Sequence, residues 1–315
     1  MRDRVRVFAP ASASNLGPGF DVLGLALQEP GDIVEVSRSE TPGIQILEVT
    51  GAPSLNTDPN QNTAGVAGSA VLRQLESAEP RGVEMWVHKQ MPLASGLGSS
   101  AASSVAGALA VNELFGGSLS RRALVDCALV GEAAASGSMH ADNVAPSLLG
   151  GIVLVRSYDP LDLVSLPVPP RLRVVVVHPH AEVETAAARR LVEDSRFEIS
   201  QAVANLGNVA ALVSALHSGD LELFGRSIHD ALVEPIRAPL VPAFAEVRNA
   251  ALAVGALGCS ISGSGPSVFA FADADDVAAA VADAMQGAFR EAGLESDRYV
   301  GPVNTRGARV ISAAE

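Results

Sequence analysis

Residues 83–110 constrain this chain more than any other stretch. "VEMWVHKQM" has strand character and runs into "PLASGLGSS", which is followed by the alanine-rich "AASSVAGALA". Ala102, Val105, Ala106 and Leu109 fall at helical spacing, so a strand reaches a helix through a turn of glycine and serine. Gly96 and Gly98 permit close backbone approach. Ser99 and Ser100 stand where the helix opens, and there unpaired N–H groups and the positive end of the dipole favour an anion. The segment is either a tight turn with serine caps or a phosphate cradle whose hydroxyls complete the site or reach a magnesium ion. Spacing excludes two familiar phosphate loops. A Walker-type loop carries its lysine immediately before Ser or Thr, whereas Lys89 precedes this loop altogether. A dinucleotide fingerprint needs a further glycine where this chain has alanines.

Around this segment the chain mixes strands and helices without the regular alternation of a doubly wound sheet. "RVRVFAP" and "GDIVEVS" alternate as strands do. "TAGVAGSAVLRQLES" and "RRALVDCALVGEAAAS" read as helices, followed by an irregular "GSMHADNVAPS" and the strand "GGIVLVRS". The proline-rich "YDPLDLVSLPVPP" is the expected boundary, giving two α+β domains over residues 1–165 and 166–315. In the second, "RLRVVVVHP" is a buried strand, "GCSISGSG" and "PSVFAFAD" form a strand pair that Pro266 interrupts, "ISQAVANLGNVAALVSALHSG" and "AFAEVRNAALAVGA" are amphipathic helices, and "ADDVAAAVADAMQGAFREAG" is another helix.

Apolar residues make up 48% of the 315 and charged residues 18%, enough for a substantial core and against disorder. A net charge of −13 and the absence of a basic run argue against nucleic acid as a partner. Two cysteines without CxxC spacing suit a reduced, cytoplasmic setting, and neither a signal segment nor a membrane-spanning apolar run is expected. Lys89 is the only lysine, which bias toward arginine codons accounts for. His178 and His180 read as surface histidines.

Three segments together resemble the GHMP family of small-molecule kinases. "PLASGLGSSAASS" is similar to its phosphate-loop motif, and "GCSISGSGPSVFAF" to its C-terminal glycine motif. "APASASNLGPGFDVLGLAL", residues 9–27, resembles the N-terminal motif in the wording of the homoserine kinase branch, as do "HADNVAPSLLGG" and "LVEPIR". The resemblance implies an α+β fold: an N-terminal domain with a left-handed βαβ crossover and a ferredoxin-like C-terminal domain. It also implies transfer of the ATP γ-phosphoryl group to the hydroxyl of L-homoserine in threonine biosynthesis, a homodimer, and threonine as an inhibitor.

By the same resemblance Pro92, Leu93, Ala94, Ser95, Gly96, Leu97, Gly98, Ser99, Ser100, Ala101 and Ala102 would hold ATP. Asn62 would lie near the adenine, with helix capping the alternative role, and Lys89 would touch adenine or phosphate. Ser100 and Glu132 would hold Mg2+, which prefers oxygen ligands. A zwitterionic amino acid needs a carboxylate site, which the planar forks of Arg189 and Arg237 suit, the latter in a loop. Asp21 and Asp142 would face the ammonium, Asn15 and Asn143 the polar remainder, with Thr185 a further contact and His140 in the site wall. In catalysis Asn143 orients the hydroxyl, with Asp142 the competing choice as general base. Ser262 and Ser264 are expected to shape the loop beside the phosphates.

Overall fold

The computed structural model describes residues 3–75 and 81–314. The chain begins with two antiparallel strands, β1 (Arg4–Ser14) and β2 (Leu23–Ser39). β3 (Gly43–Thr50), α1 (Thr63–Gln74) and β4 (Gly82–His88) follow as a βαβ unit whose two strands pair in parallel. Next come α2 (Ser99–Leu114), α3 (Arg121–Ser136), α4 (Ala141–Leu149) and the hairpin β5 (Ile152–Tyr158) and β6 (Leu161–Leu166). The second half holds β7 (Arg173–Pro179), α5 (Thr185–Glu193), α6 (Ile199–Ser218), α7 (Leu221–Ser227), α8 (Glu234–Arg237) and α9 (Phe244–Ala253). It ends with β8 (Gly258–Ile261), β9 (Val268–Ala272), α10 (Asp275–Glu291), β10 (Ser296–Pro302) and β11 (Arg309–Ala314).

The second sheet has the order β10-β7-β9-β8, all antiparallel, with helices after its first and third strands. That is the βαββαβ arrangement of a ferredoxin-like domain. The uninterrupted valines of β7 are explained by burial on both faces. Val174 and Val176 face the main core with Phe269 and Phe271, while Val175 and Val177 join a second cluster with Val281, Met285 and Phe289 of α10.

The first sheet has seven strands, and its edge strand β11 comes from the end of the chain to pair with β1. A cut between residues 165 and 166 falls at the last residue of β6, and β11 is the strand that crosses it. Along β1, Val5, Val7, Ala9, Ala11 and Ala13 point into the core, so the opposite face carries Ser12 and Ser14. α2 is buried along nearly its whole length and has no polar face, as a helix enclosed by sheet and helices must be. Its small residues allow backbone contact: a Cβ at Gly107 would lie 2.5 Å from the carbonyl oxygen of Ala64 in α1.

Within the proline-rich segment expected as the boundary, residues 161–166 form strand β6, which pairs back onto β5. Two local expectations are corrected. The segment expected to be irregular contains α4, with Pro146 inside it. Pro146 has no N–H for the Asp142 carbonyl, and Gly24 leaves that carbonyl room, since a Cβ there would lie 1.7 Å from it. Finally, α6 is long and apolar enough to cross a membrane by length and composition, with mean hydropathy 1.4 over an 18-residue window. Its Asn205, Gln201 and Asn208 nevertheless donate to carbonyls of Pro18, Ala231 and His229. Residues 76–77 of the first expected helix lie outside the described residues.

Gly107→Val forces a side chain against backbone that cannot turn aside. Overpacking of this kind costs about 1–3 kcal/mol, and chemical denaturation should show a loss of that size.

Candidate active site

The loop between β4 and α2 is held from three sides. Ala94, Gly96 and Gly98 have φ of 51°, 75° and 64°, the left-handed geometry that glycine adopts without strain. A Cβ on Gly96 would lie 2.3 Å from the carbonyl oxygen of Ser262, and one on Gly98 2.2 Å from Ser12 Oγ. Both glycines are therefore required by close approach as well as by φ. Ser262 Oγ donates to the Gly96 carbonyl at 2.7 Å and Ser267 Oγ to the Ser95 carbonyl at 2.6 Å, so the β8–β9 turn shapes the loop as expected. His178 supports this brace: it is buried, its Nδ1 lies 3.0 Å from Ser267 Oγ, and burial lowers its pKa. The surface reading was wrong for His178. His180 is exposed and pairs with Asp297.

The loop opens into a cavity of about 230 Å³. Two helices present their N-termini to it: α2 through Ser99 and Ser100, and α4 through Asp142 and Asn143. Ser95 Oγ and Ser99 Oγ are buried without a hydrogen-bond partner. Buried orphan hydroxyls are rare and mark a place for a ligand or water. Glycine cradle, helix N-terminus and unpartnered hydroxyls fit an anion such as a phosphate.

On the far wall, Arg189 makes a bidentate pair with Asp21, Nη2–Oδ1 and Nη1–Oδ2 both 3.0 Å. Arg189 Nη2 also lies 3.2 Å from His140 Nε2, while His140 Nδ1 lies 3.1 Å from Glu132 Oε1. A continuous polar chain thus joins Glu132 to Asp21. Arg237 is buried and donates through Nη1 to the Gly263 carbonyl at 2.8 Å; burial lowers its pKa, opposed by the charge of Asp21. Phe20 lies beneath both guanidinium groups, 5.6 Å from Arg189 and 4.9 Å from Arg237, within the range of cation–π attraction. The β1–β2 loop that carries Phe20 has left-handed backbone at Asn15, Leu16 and Asp21. Such geometry persists only where surroundings impose it, and here Tyr158 Oη donates to the Asp21 carbonyl at 2.8 Å and Asn205 Nδ2 to that of Pro18 at 2.7 Å.

Asp142 is fully buried in the cavity wall. Burial first, and then the charge of Asp21, push its carboxyl up to about 7 against the pull of His140. Asn143 Oδ1 accepts from Ser12 Oγ at 2.8 Å, and its Nδ2 lies 3.5 Å from Asp142 Oδ1.

Residues 63–151 match the GHMP kinases N terminal domain and residues 212–291 the GHMP kinases C terminal domain. The chain is 44% identical to the homoserine kinase of Chlorobaculum tepidum over 317 residues, covering 97% of each chain. It is 45% identical to that of Chloroherpeton thalassium over 320 residues, covering 98% of this chain and 99% of the relative. The crystal structure of homoserine kinase from Cytophaga hutchinsonii superposes with a TM-score of 0.95 at 48% identity, covering 99% and 98% of the two chains. The chain belongs to the homoserine kinase family of GHMP kinases. A mevalonate kinase from L. major, with a TM-score of 0.73 at 20% identity, shares the fold alone.

Of the residues expected from the homoserine kinase motifs, one cavity brings together Asn15, Asp21, Asn62, Lys89, Leu93, Ala94, Ser95, Gly96, Gly98, Ser99, Ser100, Glu132, His140, Asp142, Asn143, Thr185, Arg189 and Arg237. Pro92 is outside its lining, and Leu97, Ala101 and Ala102 have side chains in the core, where only their backbone remains to meet a ligand. Asn62 caps α1 by accepting from Ala64 N and donates to the Asn56 carbonyl, so both ends of its amide are engaged. Asn15 likewise accepts from Asp21 N and donates to the Gly263 carbonyl. Thr185 Oγ1 lies 3.2 Å from Ser264 Oγ at the start of α5. Arg237 ends the short helix α8 rather than standing in a loop, since Asp230 accepts from the backbone N–H groups that precede it. Asp21 and Arg189 were expected to face opposite ends of a ligand and instead pair with each other. Phe20, Ser12 and Asp32 were missed, although Phe20 stands inside "NLGPGFD" and Ser12 on the polar face of an alternating strand.

A carboxyl with a raised pKa stabilises the fold fully below its ordinary 3.8 and loses that contribution as pH rises through about 7. The native protein should therefore lose stability relative to Asp142→Asn between about pH 4 and 7. Thermal melts of both proteins across that range measure the difference, which should vanish at the acid end.

Proposed function

We propose that this protein transfers the γ-phosphoryl group of ATP to the side-chain hydroxyl of L-homoserine, giving O-phospho-L-homoserine and ADP, a step in threonine biosynthesis. The observation that carries this reading is one cavity combining a glycine–serine helix N-terminus with two arginines and two aspartates. The first half suits a triphosphate. The second suits a zwitterion, whose carboxylate and ammonium call for opposite charges.

In this reading the backbone of residues 96–100 takes the phosphates, and Arg189 and Arg237 take the carboxylate. Asp21 and Asp142 answer the ammonium. Glu132 is buried in the cavity wall and Ser100 lines it too. Both offer oxygen, the donor type suited to Mg2+, which keeps waters and binds few protein groups beside phosphates. Among the described residues no cluster of three or more His, Cys, Asp or Glu could hold a metal. When bound, Mg2+ would neutralise charge on the phosphates. The hydroxyl oxygen forms a bond to the γ-phosphorus as the bond to the bridging oxygen of ADP breaks. Asn143 orients the hydroxyl, and its proton passes to phosphate or water. The Asp142 carboxyl, pushed up to about 7, favours a second reading in which Asp142 accepts that proton. Asp142→Asn separates the two: retained kcat with lost homoserine affinity supports the ammonium role, and collapse of kcat supports the base.

Homodimer formation, inhibition by threonine through the shared amino-acid head, and a cytoplasmic location without membrane or nucleic-acid partners complete the proposal. ADP release with MgATP should be strong with homoserine and near background with threonine, mevalonate, galactose or no acceptor. Turnover on another alcohol instead would refute the substrate. A charged hydrogen bond contributes roughly 1.5–3 kcal/mol, and about 1.4 kcal/mol is tenfold. Arg237→Ala should thus raise KM for homoserine by about ten- to a hundred-fold while KM for ATP stays nearly constant.

A further inference from the structure

The only lysine of the chain lies beneath the phosphate loop. Lys89 is buried, and its Nζ forms an ion pair with Asp32, which is wholly buried on β2. The same Nζ donates to the Ser99 carbonyl and to Ser103 Oγ, both at 2.9 Å. Ser103 Oγ donates in turn to Asp32 Oδ2 at 2.7 Å, and the other Asp32 oxygen accepts from Gln90 N at 3.0 Å. An ammonium has three protons, and all three are engaged. Its charge is also matched by that of Asp32. Lys89 therefore has neither a free donor nor a net charge to offer a phosphate, although it borders the cavity.

What it touches is informative. Ser99 is the first residue of α2, and the Ser99 and Ser100 positions face the cavity. Asp32 stands in the middle of the first sheet, opposite Ala9 of β1, next to the Ile33–His88 pairing with β4. The network ties the middle of the first sheet to the first turn of α2, whose residues Ser99 and Ser100 line the cavity.

We propose that Asp32 and Lys89 are positioning residues for the nucleotide: a buried ion pair that fixes the first turn of α2, and with it the phosphate-binding amides, without touching the phosphates. The proposal rests on the reading of this cavity as an ATP site, and the amino-acid half of the cavity lies outside its reach. It predicts that the two partners are equivalent. Removing either one should move the helix turn, whichever charge is lost.

Calorimetric binding of MgATP and steady-state kinetics of Asp32→Asn, Lys89→Met and the double variant Lys89→Met/Asp32→Leu test this. The double variant leaves no unpaired buried charge, so it folds where a single variant fails. Each variant should bind MgATP at least tenfold more weakly, with KM for homoserine within about twofold of the native value, and the double variant should be no worse than the worse single one. If Lys89 were itself a nucleotide ligand, Asp32→Asn would free its ammonium and leave ATP affinity equal or higher while Lys89→Met lost it; that pattern overturns the proposal. Native ATP affinity in all three variants, or an equal loss of homoserine handling, overturns it as well. Failure of the native protein to bind MgATP would sink this proposal together with the ATP site. ATP binding without turnover on homoserine would sink the substrate reading and leave this one standing.

Discussion

The structure depends on where the buried helix α2 begins. A helix enclosed on every side can satisfy its side chains with small apolar residues, but its first amide groups have no intrahelical acceptors. Here those amides meet a cavity instead of the core, because Gly96 and Gly98 let the incoming loop turn under Ser262 and Ser12. The C-terminal half of the chain supplies the Ser262 and Ser267 braces, β1 supplies Ser12, and β2 and the loop after β4 supply Asp32 and Lys89. Parts remote in sequence converge to hold one turn, which is why the two halves cannot be understood separately.

Charge is arranged around the same cavity. The chain carries a net −13, yet an anionic nucleotide needs a local positive field. Lys89 does not supply it, being neutralised by Asp32. The field comes from the N-termini of α2 and α4 and from Arg189 and Arg237, stacked over Phe20. Asp21 and Asp142 temper the arginine side; burial first, and then the charge of Asp21, raises the pKa of Asp142. Arginines and aspartates are thus nearly balanced on this wall of the cavity, the arrangement on which the proposed zwitterionic substrate rests.

Much of this was legible in the sequence where local rules dominate. Period-two alternation marked β1, helical spacing marked α2, and the run 121–136 coincides with α3. The glycine–serine turn remained ambiguous alone, because a capped turn and a phosphate cradle share residue types; motifs hundreds of residues apart resolved it. What escaped was set by tertiary pairing. β6 was hidden in the expected boundary because prolines flank it on both sides, and α4 read as irregular although Pro146 can sit within it, where Gly24 on another element leaves room for the Asp142 carbonyl that Pro146 cannot bond. The burial of His178, the role of Phe20 and the pairing of Asp21 with Arg189 follow from contacts across the fold, to which no local pattern points.

The most direct test is a crystal structure with an unreactive MgATP analogue and L-homoserine bound together. The account predicts phosphate oxygens on the backbone amides of residues 96–100 and the amino-acid carboxylate between Arg189 and Arg237. Phosphates seated on the two arginines, or an amino acid bound outside this cavity, would contradict it.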